Sequence, residues 1–153
     1  MNPVTKGLVV FLGGGTGATL RFFLGSWIYT RTGSDFPWHT LVINVIGSLL
    51  FGLLLPQIGR EDVRLLVTVG VLGGFTTFST FSFETIFLLK DRPLSWAVGY
   101  LALSVIGSVG ACGLGLWASG KVSGPQSGPS WKLLFGFFLS GGSNGVRIKT
   151  LRP

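Results

Sequence analysis

Four long stretches of this chain are almost free of charge, and each is close to the length that crosses a lipid bilayer. They run from about Leu8 to Ile28, Trp38 to Leu55, Leu65 to Leu89 and Leu94 to Ser119. Arg21 is the only charge in the first and Glu84 the only charge in the third; the second and fourth carry none. A helix needs roughly 20 apolar residues to cover about 30 Å of hydrocarbon, and only helices and closed barrels satisfy every backbone polar group there. The spacing therefore predicts an all-α membrane protein with four transmembrane helices. The connections are short, so successive helices are expected to be antiparallel neighbours.

Charge supports the same solvent. Apolar residues make up 47% of the 153-residue chain and charged residues only 11%, against roughly 25% in soluble domains. The net charge of +7 does not mark a nucleic-acid binder, because the basic residues sit between apolar segments rather than along one helix face. Trp27, Tyr29, Trp38, Trp96 and Trp117 fall near span ends, as an interfacial aromatic belt does. Cys112 is the single cysteine and lies inside an apolar segment, so no intrachain disulfide exists. One His, one Cys and five scattered acids offer neither a metal cluster nor a nucleophile–base pair, so an enzyme is not expected. The first apolar stretch reads as a span and not a cleavable leader: it carries Arg21 and lacks a small-residue cleavage site.

Two regions differ in character. Residues 1–120 hold the four spans. Residues 121–153 form a Gly/Ser/Pro-rich, basic tail, expected to be disordered or interfacial, with an apolar stretch from Trp131 to Leu139 too short to span. Near the membrane, Lys6, Arg60, Arg64 and Lys121 fall on one side, and Arg21, Arg31, Lys90 and Arg92 on the other. That balance gives almost no orientational bias, and a chain that inserts both ways can pair with an inverted copy. Counting Lys132, Arg147, Lys149 and Arg152 would instead favour cytoplasmic termini.

Gly13, Gly15 and Ala18 fit a G-x-G-x-x-A dinucleotide fingerprint, with Asp35 where a ribose-binding acid would stand. No βαβ context follows. Gly13/Gly17 and Gly14/Ala18 are better read as small-xxx-small pairs that let membrane helices approach closely.

The third span is unusual. Residues 73–84 read Gly-Gly-Phe-Thr-Thr-Phe-Ser-Thr-Phe-Ser-Phe-Glu. Paired glycines are poor helix formers, and Thr and Ser side chains compete for backbone hydrogen bonds, so a break between Gly73 and Phe78 is expected. At membrane depth such breaks line cavities or bind ions. On a helix Phe78 and Phe81 share a face, and Ser79 and Ser82 form a hydroxyl stripe beside it. Ring edges are partly positive, so a small anion could pass between ring edges and hydroxyl donors. Ordinary helix packing accounts for the same residues.

The motif G-G-F-T-T-F-S-T-F-S-x-E resembles the signature of the Fluc/CrcB fluoride channels. Gly17-Ala-Thr-Leu-Arg21 supports the resemblance, as do Thr40-Leu-Val-Ile-Asn44 followed by Gly47 and Gly52, and Tyr100-x-x-x-Ser104-x-x-x-Ser108. It covers about residues 8–119. It implies a dual-topology homodimer of antiparallel subunits with two pores, in the cell inner membrane, that exports fluoride passively. It also implies a structural Na⁺ at the dimer centre, held by the backbone carbonyls of Gly73 and Thr76. The pore phenylalanines would be Phe78 and Phe81 and the pore asparagine Asn44. The polar track would comprise Thr40, Ser79, Thr80, Glu84, Tyr100, Ser104 and Ser108, with Arg21 near a pore mouth.

The residues agree independently. Tyr100, Ser104 and Ser108 recur every four positions, as do Thr40 and Asn44, so two otherwise apolar helices each present a polar stripe. Glu84 is the oddity, because an ionised carboxylate cannot donate to an anion; it is read as a protonated acid, as a vestibule residue paired with Lys or Arg, as an aid to ion exit, or as an end-of-helix acid. Arg21 could also merely anchor its helix at the interface, and His39 is expected to be interfacial. The rival function is a small four-helix antiporter, which would want an acid deep in the first helix where this chain has Arg21. An accessory membrane protein without transport is a third possibility.

Overall fold

The computed structural model describes residues 1–120; the tail from residue 121, with its Trp131–Leu139 stretch, lies outside the described residues. Within them the structure is helical, without strands. Helix α1 spans Pro3–Thr32. It starts where Asn2 accepts from the Thr5 N–H and Pro3 opens the first turn, and stops at Gly33, whose φ of 50° suits glycine. Helix α2, Trp38–Leu54, is followed by Pro56. The third span is two pieces: α3, residues 61–75, and α4, Phe78–Asp91. Helix α5 runs Leu94–Ala118.

Three helical stretches, Pro3–Thr32, Glu61–Asp91 and Leu94–Ala118, are long and apolar enough to cross a membrane. Helix α2 has 17 residues, about 25 Å at 1.5 Å per residue, and is shorter than the expected span from Trp38 to Leu55. Two ion pairs fix its course. Lys6 Nζ meets Glu61 Oε1 at 2.7 Å, joining the starts of α1 and α3, while Arg92 pairs with Asp35, joining the α1–α2 and α4–α5 connections. These are opposite ends of the bundle, so α2 runs from one to the other.

Glycines bring backbones together. A Cβ on Gly52 would lie 2.1 Å from the Cys112 carbonyl oxygen, and one on Gly115 would lie 2.3 Å from that of Leu49; α2 and α5 therefore touch main chain to main chain. Helix α1 meets α3 in the same way, with Gly13 and Gly17 buried against Leu66, Gly70 and Val71. The small-residue reading of Gly13 and Gly17 holds. A small aromatic-aliphatic core gathers Leu41, Phe81, Leu88, Ala97 and Tyr100. Most other large apolar side chains face outward, among them Phe11, Phe22 and Ile106, as expected where lipid is the solvent.

The break in the third span falls at Thr76 and Thr77, both extended, with φ/ψ of −80°/156° and −147°/120°. Gly73 and Gly74, expected to help break the helix, are helical. The reason is packing: a Cβ on Gly74 would meet the Gly14 carbonyl oxygen at 2.4 Å, so glycine there admits α1. Residues Leu65–Leu72 are wound as a π-helix, a rare geometry with no periodic signature in the sequence.

Candidate functional site

Thr77 organises the site. Its N–H donates to Asn44 Oδ1 at 2.8 Å and its carbonyl accepts from Asn44 Nδ2 at 3.0 Å. The amide of α2 thus replaces the helical partners that Thr77 loses at the break. Thr77 Oγ1 then caps α4, accepting from the Thr80 N–H at 3.2 Å, and lies 3.2 Å from Ser79 Oγ and 3.0 Å from Thr80 Oγ1. An amide side chain plus an N-cap threonine is a complete local account of why the chain stops, extends and restarts here.

That arrangement diverts two donors. In a continuous helix Gly73's carbonyl would bond the Thr77 N–H and Thr76's carbonyl the Thr80 N–H. Both N–H groups are instead taken by side-chain oxygens, those of Asn44 and Thr77. The two carbonyls singled out in the sequence are thereby left without their helical donors, and Gly73 is exposed.

A groove of about 310 Å³ runs beside the break, lined by Asn44, Thr77, Phe78, Phe81, Ser104 and Ser108 among others. Phe78 is 78% exposed and Phe81 only 7%, with ring centroids 5.4 Å apart. Phe81 in turn lies 5.4 Å from the Tyr100 ring. Ser104 is buried, yet its Oγ has no hydrogen-bond partner among the described residues.

Glu84 sits beyond the groove. Thr40 Oγ1 donates to its Oε1 at 2.8 Å and Tyr100 OH to its Oε2 at 2.6 Å. His39 Nε2 stands 3.0 Å from Oε1. Among the described residues, the basic side chain within ion-pair distance of the acid is His39, not Lys90 or Arg92, and Arg92 is engaged with Asp35. On the other face of α4 a second cavity, about 330 Å³, brings Arg21 together with His39, Thr40, Thr77 and Thr80.

The candidate residues thus divide. Asn44, Phe78, Phe81, Ser104 and Ser108 share one groove; Arg21, Thr40 and Thr80 share the second cavity; Thr77 lines both, and Glu84 and Tyr100 are linked at the end of the track. The Ser79/Ser82 stripe is not a free donor row: Ser82 Oγ donates to the Phe78 carbonyl within its own helix, and Ser79 Oγ faces Thr77. Asn44 is a clamp as well as a lining residue. Thr77 is not singled out as a site residue in the sequence, and His39 is read there only as interfacial. The cue for Thr77 was a threonine three residues before Thr80 at a restart; for His39 there was only its adjacency to Thr40.

Residues 8–116 match the family profile described as CrcB-like protein, Camphor Resistance (CrcB). The chain is 41% identical over 120 residues to a fluoride-specific ion channel FluC of Phocaeicola vulgatus, covering 73% of this chain and 96% of that protein. It is 42% identical over 120 residues to the protein of the same name in Geobacter sulfurreducens (75% and 94% covered), and 44% identical over 112 residues to that of Thermus thermophilus (67% and 87% covered).

Proposed function

The chain belongs to the CrcB family, and from that membership we propose that it is a fluoride-specific channel, a multi-pass protein of the plasma membrane that lets fluoride leave the cell down its gradient. The observation that carries the proposal is the groove beside the broken third span, where ring edges and hydroxyl donors converge. Fluoride is small and strongly hydrated, so a path through hydrocarbon must replace its water with donors. The unpartnered Ser104 Oγ, together with Ser108 and the second N–H of the Asn44 amide, supplies donors on one wall. Phe78 and Phe81 supply the other wall, which admits an anion at partly positive ring edges. Arg21 raises the local anion concentration, and Thr40, Thr80 and Tyr100 continue the hydroxyl track past Glu84.

The working unit is an antiparallel homodimer with two pores and all four helices of each subunit spanning. Phe78 and Gly73, both exposed beside the break, belong to a surface that a second copy completes, and the balanced loop charges permit both orientations. The Gly73 and Thr76 carbonyls, relieved of their helical donors, suit a hard cation such as Na⁺. That ion supplies positive charge and a structural tie between the two breaks.

Antiport by the small four-helix type is not supported by the family match. Single-channel recording in planar bilayers tests the proposal: fluoride gradients should give currents reversing near the fluoride equilibrium potential, with chloride carrying none. Currents insensitive to the fluoride gradient would refute it.

A further inference from the structure

The chain's single histidine stands where the permeation track meets its charged end. His39 Nε2 lies 3.0 Å from Glu84 Oε1, and both side chains line a cavity of about 270 Å³ with Tyr29, Asp35 and Phe83. His39 also lines the second cavity with Arg21, Thr40 and Thr80. It is thus the side chain that lines both cavities, and with Thr40 it links the Glu84 end to the Arg21 end.

We propose that His39 is a positioning residue that sets the electrostatics of this mouth through Glu84, so that fluoride flux rises as pH falls through the range in which His39 takes up its proton. The inference rests on the fluoride-channel reading.

Both Glu84 oxygens lie within hydrogen-bond distance of hydroxyls, Oε1 of Thr40 and Oε2 of Tyr100, which can donate to the carboxylate in its ionised form. With His39 neutral, the pair carries one negative charge in the path of an anion. With His39 protonated, the pair is neutral, and the same Nε2–H···Oε1 contact becomes charge-assisted. Histidine is the side chain whose charge changes between about pH 5 and 8.

The groups around it do not override the effect. From α1, Tyr29 meets the imidazole edge-on at 5.9 Å and Arg21 faces it across the second cavity. From the α1–α2 connection comes Asp35, whose carboxylate is bound by Arg92. From α4 comes Glu84, and from α5 Tyr100, which reaches the site through Glu84. Removing one unit of charge about 10 Å from an ion, at an effective dielectric of about 20 to 80, changes the ion's local population by roughly two- to fifteenfold.

The test is fluoride efflux from vesicles at pH 5.5, 6.5, 7.5 and 8.5, with protein-free vesicles subtracting the diffusion of neutral hydrogen fluoride. The expected result is a rise of about threefold or more toward acid pH in the unmodified protein and a flat profile in His39→Gln. Glu84→Gln supplies the second variant and should also flatten the profile, because the charge that His39 neutralises is gone. The lone imidazole gives a single, self-assigned NMR signal after histidine labelling, and it should move over the same pH interval as the flux. A flat wild-type flux while that signal titrates would overturn this inference alone, as would a slope that persists in His39→Gln. Absence of fluoride flux at every pH would overturn the channel reading and this inference with it.

Discussion

Replacing Asn44 by alanine should unlock the break in the third span. Two hydrogen bonds disappear, the 2.8 Å bond from the Thr77 N–H and the 3.0 Å bond to the Thr77 carbonyl. Thr77 is buried at 8% exposure, and the extended backbone around it has no helical partner to fall back on. A buried donor or acceptor left unpaired costs about 1–3 kcal/mol in a protein interior, while interhelical hydrogen bonds measured in membrane proteins cluster lower, at about 0.6–2 kcal/mol. For two bonds at one residue we expect a loss of about 2–3 kcal/mol, read as a shift in the unfolding midpoint in mixed micelles. Asn44→Asp separates the two bonds: its carboxylate still accepts from the Thr77 N–H but cannot donate to the Thr77 carbonyl, so it should fall between wild type and alanine before any cost of the added charge. Fluoride flux should drop in both, because Phe78 is the first residue of α4 and its position depends on the clamp. An alanine variant within about 0.5 kcal/mol of wild type that still conducts would show that the clamp does not hold the break.

The remaining predictions concern packing and the groove. Gly52→Ala and Gly115→Ala each push a Cβ to within 2.3 Å of a carbonyl oxygen on the facing helix, and should destabilise the protein by about 1–3 kcal/mol; Gly110→Ala, which meets nothing within 4 Å, is the matched control in the same thermal-unfolding assay. Phe78→Ala and Phe81→Ala should part company: Phe81, 7% exposed, should cost about 3–5 kcal/mol of stability, whereas Phe78 should cost little in the subunit yet depress flux. Ser104→Ala removes a buried hydroxyl that has no partner among the described residues, so stability should stay level or rise by up to about 1 kcal/mol while flux falls. A fall in stability would mean the hydroxyl serves the fold.

Much of this was readable from residue order alone, because membrane burial makes charge placement nearly deterministic. Uncharged runs located the helices, and the Gly-Gly-Phe-Thr-Thr-Phe-Ser-Thr stretch located the break to within a few residues. What the sequence could not assign was which partner each polar group would take. Gly73 and Gly74 look like helix breakers in one dimension; Gly74's contact with Gly14 makes it a packing residue instead. Ser79 and Ser82 look like a donor stripe, but helix geometry lets Ser82 turn to the carbonyl four residues back. Glu84 had Lys90 and Arg92 as sequence neighbours, yet its partners Thr40, His39 and Tyr100 come from two other helices. Pairings of this kind depend on helix–helix register, which no local pattern encodes. Asn44 was legible as a polar residue in an apolar helix, while its role as the backbone partner of Thr77 needed the fold.

The central claim is that this groove carries fluoride through the membrane. The most direct measurement is fluoride efflux from liposomes holding the purified full chain, followed with a fluoride electrode beside a chloride electrode and a lumenal pH dye. Rapid fluoride release with no chloride leak and no obligatory proton movement is the predicted result. Correctly folded protein that releases no fluoride would contradict the account.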